Sequence, residues 1–243
     1  MSVGGPAAGR RLGSPRLHLR RTGSTNDRAR ELAIAGAPHG TLVTTSEQTA
    51  GRGRQGRSWT APAGSALLAS LVLREAPELL PLVAAVAVAE AVELTGGRAA
   101  GVKWPNDVLV DGRKVAGILA EGRPQERWAV LGIGVNVAVE TVDLPPELRA
   151  TAGTLGRQPR DVEVVLAGLL PALERWLAAE PAATLEALRT RDALAGRDVA
   201  WAGGRGRAAG IDAEGRLVVE LRGGGRTALD AGEVHLAPAG ACA

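Results

Sequence analysis

The chain contains no tyrosine and no phenylalanine, and five tryptophans are its only large aromatic side chains. A hydrophobic core must therefore be built from leucine, valine, alanine and isoleucine, and any aromatic stacking surface must come from tryptophan. With 243 residues, 45% of them hydrophobic, the chain can bury one substantial core and add a small second domain. The composition predicts a globular protein.

Several other classes of protein are disfavoured by the sequence. The longest apolar run, residues 79–92, is interrupted by Pro81 and Glu90 and is too short to span a bilayer. The Gly/Arg-rich N-terminus has no apolar signal-peptide core. The single cysteine, Cys242, has no partner for an internal disulfide or a cysteine-ligated metal site. A net charge of +3 gives at most mild steering of an anion. We expect a cytoplasmic protein without membrane contact.

The spacing of apolar residues predicts a flexible leader, residues 1–15, followed by a domain of helices and strands over residues 16–195. The helices are expected over residues 27–35, with a cap at Ser24 to Asn26, and over residues 77–95, 162–178 and 182–193. The strands are expected over residues 41–45, 67–73, 102–104, 108–110, 115–121 and 128–137. From Gly196 the pattern changes to short strands separated by glycine-rich turns, which predicts a small β-barrel-like module over residues 196–243.

Lysine and asparagine are rare in this chain and are concentrated in a few segments. Lys103 and Lys114 are the only lysines among 29 basic residues, and both lie in one stretch of 12 residues. A position that keeps lysine in an arginine-rich chain is expected to need a compact ammonium that a planar guanidinium cannot replace. The only asparagines are Asn26, Asn106 and Asn136. This distribution indicates a functional site.

The loop between the second and third predicted elements alternates glycine with arginine over residues 51–59. Glycine lets the backbone approach a ligand, and Arg52, Arg54 and Arg57 offer forked donors to phosphate or carboxylate oxygens. We expect an anion to bind here. The loop by itself is equally consistent with an RGG-like nucleic-acid-binding segment. It is neither a Walker loop nor a Rossmann fingerprint.

Two further segments carry polar groups at the ends of predicted strands. Asn106 and Asp107 follow Pro105, where the amide could fix a polar ligand edge and the carboxylate could hold a metal ion or an ammonium. For this tetrapeptide taken alone, a plain Asn-Asp turn is the favoured interpretation. Asn136 ends a strand interrupted by glycines, where a ligand can approach the backbone closely. No histidine has metal-ligand spacing, so His18, His39 and His235 are predicted to be structural or surface residues.

Taken in order and spacing, these segments closely resemble those of biotin protein ligases. The resemblance covers about residues 20 to 238 and is most specific in the Arg/Gly loop and in the segment Lys103-Trp104-Pro105-Asn106-Asp107. It implies an α+β fold in which helices flank a mixed sheet, related to class II aminoacyl-tRNA synthetases and lipoate ligases, with an SH3-like C-terminal barrel. It also implies an enzyme that makes biotinyl-5′-AMP from biotin and ATP, with Mg²⁺, and acylates one lysine of a biotin carboxyl carrier domain of acyl-CoA carboxylases.

The resemblance also implies a role for each matching residue. Residues with a direct part in catalysis are Lys114, Arg54 and Arg52. Residues implied to bind biotin are Ser24, Thr25, Asn26, Gln48, Arg52, Gly53, Arg54 and Lys114. Residues implied to bind ATP or the adenylate are Arg54, Arg57, Trp59, Lys103, Asn106, Asp107 and Asn136. The metal ligands are left unassigned.

Some expectations about domain content and assembly, and two alternative functions, remain open at this point. Only 23 residues precede Ser24, so we expect a monofunctional ligase without the family's N-terminal DNA-binding domain and without specific DNA binding. The resemblance allows a homodimer. One alternative is a lipoate or octanoyl ligase of the same fold, which would use the lysine in the same way. The other is a non-enzymatic protein that would use the arginine loop to bind nucleic acid.

Overall fold

Seven strands form one sheet in the larger part of the chain. The computed structural model describes residues 11–123, 127–230, 232 and 234–236. In chain order the strands are β1 (Arg16–Leu19), β2 (Leu42–Thr45), β3 (Ala66–Arg74), β4 (Gly101–Lys103), β5 (Asp107–Val110), β6 (Arg113–Arg123) and β7 (Trp128–Asn136). Their spatial order is β1-β2-β3-β7-β6-β5-β4, with β1 and β2 parallel and all other pairs antiparallel. The expected mixed sheet is confirmed.

Helices cover both faces of this sheet. The bounds of four agree with the predicted ones to within a few residues, and the short helix over residues 146–149 was not predicted. They are α1 (Thr25–Ile34), α2 (Leu80–Gly96), α3 (Pro146–Arg149), α4 (Val162–Leu177) and α5 (Pro181–Thr190). Helix α2 starts with Pro81 in its first turn and ends at Gly97, which has a φ of 65°. Residues 82–89 are all buried, because α2 contacts the sheet through β4, β5 and β6 and also packs against α4 and α5. Valine and alanine fill this core in place of aromatic side chains.

Alternation along the central strands gives the two faces of the sheet different neighbours. Odd-numbered residues such as Leu71 of β3 and Leu131 of β7 belong to the main core with α2 and α4. Even-numbered residues such as Val72 and Val130 pack instead with the buried alanines of α1. Successive side chains of a strand point to opposite faces of the sheet. The other even-numbered residues of β3 and β7 therefore point to the face that α1 covers.

A second, five-stranded antiparallel sheet forms the C-terminal part of the described chain. Its strands are β8 (Asp198–Trp201), β9 (Gly204–Ile211), β10 (Leu217–Leu221), β11 (Arg226–Leu229) and β12 (His235–Leu236). They pair in the order β11-β10-β9-β8-β12. Within the described residues the two edge strands do not pair with each other, so the sheet is open and the predicted closed barrel is not confirmed.

The two sheets share one core and a buried hydrogen bond. Leu217 and Val219 of β10 belong to the same buried cluster as α2. The indole Nε1–H of Trp104, which follows β4, donates to the carbonyl oxygen of Gly215 at 2.9 Å. Gly215 has a φ of 81°, and a Cβ at this position would lie 2.8 Å from Leu82 Cδ1. The turn between β9 and β10 therefore packs directly against the Lys-Trp-Pro-Asn-Asp segment, residues 103–107.

Near the N-terminus the structure differs from the expectations in two places. The first ten residues lie outside the described part, so the leader stays a prediction there. Leu12, however, is buried, and its backbone N–H donates to Glu174 Oε1 at 2.7 Å. The edge strand β1 was not predicted, and Arg16 in it binds Glu163 of α4 through two hydrogen bonds that lower the pKa of the Glu163 carboxyl. No helix among the described residues is long and apolar enough to cross a membrane.

We predict that Trp104→Phe will lower the free energy of unfolding by about 1–2 kcal/mol in urea titration, because the Gly215 carbonyl loses its buried donor. Trp176→Phe is the matched control. The Nε1 of Trp176 is buried without a hydrogen-bond partner in the described part of the chain, so this variant removes no hydrogen bond. If the free energy of unfolding falls equally in the two variants, the loss comes from the smaller side chain, and the hydrogen bond between the sheets contributes nothing measurable.

Candidate active site

A cavity of about 440 Å³ opens on the α1 face of the large sheet, within the size range of small-molecule sites. Its floor is made by Gly117 of β6 and by Gly132 and Gly134 of β7, all of which line it. Gly117 is the register partner of Gly134 on the neighbouring strand, so two side chains are missing side by side. The hollow exists because these three residues, which should carry side chains on this face, are glycines.

The indole of Trp59 lies directly on this glycine floor. A Cβ at Gly134 would lie 2.5 Å from Trp59 Cε2, and one at Gly117 would lie 2.8 Å from Trp59 Cζ3. Any larger residue at either position would push the ring away. Leu68 and Leu144 belong to the small apolar cluster against which Trp59 packs. Trp59 is thus a wall of the cavity, in the place where the sequence predicted an aromatic stacking surface.

The Arg/Gly loop folds back on itself over the cavity. The N–H of Trp59 donates to the carbonyl of Gly51 at 2.9 Å, and the N–H of Gly53 donates to the carbonyl of Arg57 at 2.7 Å. A Cβ at Gly51 would lie 2.3 Å from the Trp59 carbonyl oxygen, so only glycine fits there. At the tip, Arg54 Nη1 donates to Asn106 Oδ1 at 2.9 Å. The long loop predicted from the sequence is therefore an ordered hairpin with one turn of 3₁₀ helix.

One end of the cavity is lined by neutral polar groups at the start of α1. The N–H and the hydroxyl of Thr25 both donate to Gln48 Oε1, at 2.8 and 3.1 Å, which leaves the Gln48 amide N–H groups as donors. Ser24 stands at the N-cap of α1, but its side chain makes no capping hydrogen bond, so that part of the capping prediction is wrong. Buried Ser70 supports this end, with Oγ 2.8 Å from Thr25 Oγ1 and 2.6 Å from Asn26 Oδ1.

Lys114 lies in the cavity wall beside the tryptophan. Its Nζ is 2.7 Å from Asp107 Oδ1 and 5.6 Å from the centroid of the Trp59 ring. Asp107 is the more buried partner, with a side-chain exposure of 16% against 36% for Lys114. The side chain of Asp107 is also the only carboxylate among the described residues that line the cavity. The ammonium is therefore held beside Asp107 and the indole, in the wall of the cavity that the neutral polar groups also line.

Asn136 offers an unused acceptor. Its Nδ2 donates to the Gly153 carbonyl at 2.9 Å, which fixes the orientation of the amide. The residue is 4% exposed, and its Oδ1 is buried without a hydrogen-bond partner in the described part of the chain. A buried, unpaired oxygen is costly unless something else occupies the site.

The structure brings every residue predicted for the site to this one cavity. The predicted residues that line it are Ser24, Thr25, Asn26, Gln48, Arg52, Gly53, Arg54, Arg57, Trp59, Lys103, Asn106, Asp107, Lys114 and Asn136. Their specific roles stay predictions. Among the described residues, no three His, Cys, Asp or Glu side chains come together as a metal site.

Sequence analysis missed several residues of the site. The two glycines of β7 were noted as a place of close approach, but their pairing with Gly117 across the sheet was not. Ser70 gave no signal, because a lone serine in an apolar strand is common. His235, interpreted as a structural or surface residue, lines the cavity from β12 together with Val234. Only the docking of the second sheet brings these last two residues to the site.

Comparison with known proteins agrees with this geometry. Residues 18–137 match the Biotin/lipoate A/B protein ligase family. The biotin--[acetyl-CoA-carboxylase] ligase of Mycobacterium tuberculosis is 36% identical over 236 residues, covering 88% of this chain and 86% of that protein. The bifunctional ligase/repressor BirA of Bacillus subtilis is 43% identical over 143 residues, which cover 55% of this chain but only 44% of that protein.

A solved structure extends the similarity over most of both molecules. The biotin protein ligase from Aquifex aeolicus, in complex with biotin and ATP, is 28% identical and superimposes with a TM-score of 0.77. The match covers 92% of this chain and 99% of that one, so it includes both the large sheet and the C-terminal sheet. The fold is that of the biotin ligases, and this chain belongs to the biotin protein ligase family.

Proposed function

We propose that this protein is an ATP-dependent biotin protein ligase that modifies a carrier protein after translation. Biotin and ATP would yield biotinyl-5′-AMP and pyrophosphate, and the ε-amino group of a carrier lysine would then take the biotinyl group and release AMP. The carrier would be the biotin carboxyl carrier domain of an acyl-CoA carboxylase in the cytoplasm. The observation that carries the proposal is the position of Lys114, whose ammonium lies 5.6 Å from the centroid of the Trp59 ring in the wall of the same cavity that Ser24, Thr25 and Gln48 line.

The neutral polar end suits the ureido ring of biotin. A cyclic urea needs donors for its carbonyl and acceptors for its two N–H groups, and it carries no charge. Ser24, Thr25 and Gln48 supply hydroxyl and amide groups there, and these are ordered by buried Ser70. Burial of neutral hydrogen-bonded groups is inexpensive compared with burial of a charge. This end would therefore hold biotin with its carboxylate directed towards Lys114.

The other end suits an adenine ring. The indole of Trp59 provides the stacking surface that the chain can build only from tryptophan. The unpaired Oδ1 of Asn136 can accept a hydrogen bond from the exocyclic amine of adenine. Guanine carries a carbonyl oxygen at that position. This oxygen is an acceptor and could not form a hydrogen bond with the Asn136 oxygen. The arrangement therefore favours ATP over GTP.

Lys114 would promote the first step by electrostatic stabilisation. Attack of the biotin carboxylate on the α-phosphate brings two anions together, and negative charge grows on the phosphoryl oxygens in the transition state. A cation already placed at that point lowers the barrier without reorganisation. Lys114 is on a flexible stem and can exchange its Asp107 partner for these oxygens. In the second step, after pyrophosphate and its metal have left, Asp107 would accept the proton that the carrier lysine must lose before its amine attacks.

Mg²⁺ fits this site only as a companion of the polyphosphate. Asp107 is the single carboxylate among the described residues of the cavity wall, and Asn106 beside it offers one amide oxygen. Magnesium is commonly bound through one or two carboxylates together with substrate phosphates and water. Asp107 would be its protein ligand, and the ion would neutralise polyphosphate charge. Arg54, Arg57 and Lys103 would add positive charge around the nucleotide.

We further infer that the C-terminal sheet is an SH3-like module that begins near residue 196 and follows a catalytic domain over residues 16–195. Its strand β12 places His235 beside the cavity. A homodimer is compatible with this arrangement. Specific DNA binding is not part of the proposal.

The main competing function is ligation of lipoate or octanoate by the same lysine chemistry, since the matching family includes both kinds of ligase. The decisive experiment is mass spectrometry of carrier domains incubated with the protein, ATP, Mg²⁺ and either biotin, lipoate or octanoate. We expect a biotinyl mass increase on one carrier lysine and none with the other acids. Transfer of lipoyl or octanoyl groups alone would assign the protein to the second function.

We predict that Lys114→Arg will reduce biotin-dependent pyrophosphate release by roughly 10- to 100-fold, although the charge is kept. The larger guanidinium cannot occupy the same point, and loss of one charge-assisted hydrogen bond costs about 1.5–3 kcal/mol. The reverse exchange at its exposed neighbour, Arg113→Lys, is the control and should leave the rate unchanged. A full rate in Lys114→Arg would remove this residue from the mechanism.

We predict that Arg54→Gly will let the adenylate escape and biotinylate lysines of bystander proteins. The hydrogen bond from Arg54 to Asn106 connects the tip of the loop to the segment that follows β4, and glycine removes it without disturbing a core. The measurement is the ratio of biotin on serum albumin to biotin on the carrier domain, which should rise about tenfold or more. A ratio equal to that of the unmodified protein would contradict the lid role.

We predict that Asn136→Ala will lower kcat/KM for ATP by about three- to tenfold and leave the much smaller value for GTP nearly unchanged. The variant loses the acceptor that faces the adenine amine. The KM for biotin, whose pocket lies at the other end, serves as the internal control. An unchanged ratio of ATP to GTP utilisation would show that Asn136 does not contact the base.

A further inference from the structure

Glu121 occupies a central position among the charges beside the cavity, although neither the sequence motifs nor the proposed reaction assigns it a part. It stands on β6 two residues beyond Leu119, on the face that carries the glycine floor. Its Oε2 accepts from Arg52 Nη2 at 2.6 Å and from Asn26 Nδ2 at 2.8 Å. One carboxylate oxygen therefore joins the Arg/Gly loop to the start of α1.

Four charged residues form a closed ring here. Arg52 Nη2 also lies 3.0 Å from Asp27 Oδ1. Arg30 completes the ring, with Nη2 at 3.3 Å from Asp27 Oδ1 and at 3.4 Å from Glu121 Oε1. Two guanidinium groups and two carboxylates thus alternate, and their formal charges cancel. The positive charge of Arg52 is already compensated before any ligand binds.

Arg54 differs from Arg52 in this respect. Its side chain donates to Asn106, which is a neutral amide. In the described part of the chain no carboxylate forms a salt bridge with Arg54. An incoming phosphate would have to compete with two carboxylates for Arg52 but only with an amide oxygen for Arg54. Arg52 and Arg54 therefore have different tasks.

We propose that Glu121 latches the Arg/Gly loop over the cavity by holding Arg52, so that the role of binding the phosphate of a ligand falls to Arg54 rather than to Arg52. Arg52 is then a positioning residue. The ion pair is only about a third exposed on each side, at 34% for Arg52 and 29% for Glu121, so solvent screens it less than a surface pair. The assignment of the phosphate rests on the proposed function, whereas the latch itself does not.

Limited trypsin digestion tests the latch without any ligand. Trypsin cuts after arginine, and Arg52, Arg54 and Arg57 all lie within the loop. We expect Glu121→Gln to be cut in this loop about tenfold faster than the unmodified protein, with an unchanged thermal midpoint. The amide keeps an oxygen for Asn26 but loses the charge that holds Arg52. Glu121→Asp, which keeps the charge, should show an intermediate rate.

Glu31→Gln is the matched control. Glu31 pairs with Arg28 on the solvent side of α1, where both side chains are about half exposed or more. Its loss should leave the loop cleavage rate unchanged. Loop cleavage of Glu121→Gln at the rate of the control would overturn the latch. Faster cleavage throughout the chain, together with a lower thermal midpoint, would overturn it as well, because the effect would then be global.

A double-mutant cycle identifies the partner of Glu121. If Glu121 acts through Arg52, cleavage after Arg54 and Arg57 in the double variant Glu121→Gln/Arg52→Gln should be no faster than in either single variant. Effects that multiply would show that the two residues act separately, against the proposal.

Release of biotinyl-5′-AMP then tests the consequence for the reaction. Preformed adenylate should leave Glu121→Gln about tenfold faster than the unmodified protein, whereas Glu31→Gln should retain it normally. If the unmodified protein forms no adenylate from biotin and ATP, the proposed function fails, and the trypsin result still decides the latch. If it forms adenylate and Glu121→Gln retains it equally well, the latch has no role in catalysis and the inference fails.

Discussion

The contact between the Trp59 indole and the glycines of two neighbouring strands determines the geometry of the rest of the site. The ring lies where the side chains of Gly117 and Gly134 would otherwise stand, and their absence also leaves room for the ammonium of Lys114. Successive side chains of a strand point to opposite faces, so aliphatic side chains lie on the face away from the cavity. The cavity therefore does not weaken the main core. One sheet thus serves as core on one face and as binding floor on the other.

The charges around this floor are arranged so that few of them are uncompensated. Lys114 is paired with Asp107, and Arg52 is paired with two carboxylates, while Arg54 rests against a neutral amide. Such pairing stabilises the site, because like-charged groups gathered without partners would repel one another. It also separates cations that position the loop from cations that can be released to an anionic ligand. The site combines an ordered loop with cations that have different partners.

Sequence patterns predicted the helices and most strands because their apolar spacing is regular over many residues. Helix α2 and strand β7 were predicted to within a few residues. The edge strand β1 was missed because Arg16 and His18 make it polar, and β12 was missed because it has only two residues. The closed C-terminal barrel was an expectation from resemblance, and the described strands form an open sheet instead. Short or solvent-facing elements carry too little pattern to be recognised.

The sequence by itself determined which chemistry is available: two lysines, three asparagines, a glycine-rich loop with arginines and tryptophan as the only stacking surface. These are properties of residue type and local order, which the chain carries before it folds. Only the tertiary structure decided which groups are compensated and which are left for a ligand. Glu121 meets Arg52 across 69 positions of the chain, and Asn136 meets Gly153 across 17. Partners at such separations depend on sheet register and loop closure, and no local pattern encodes them.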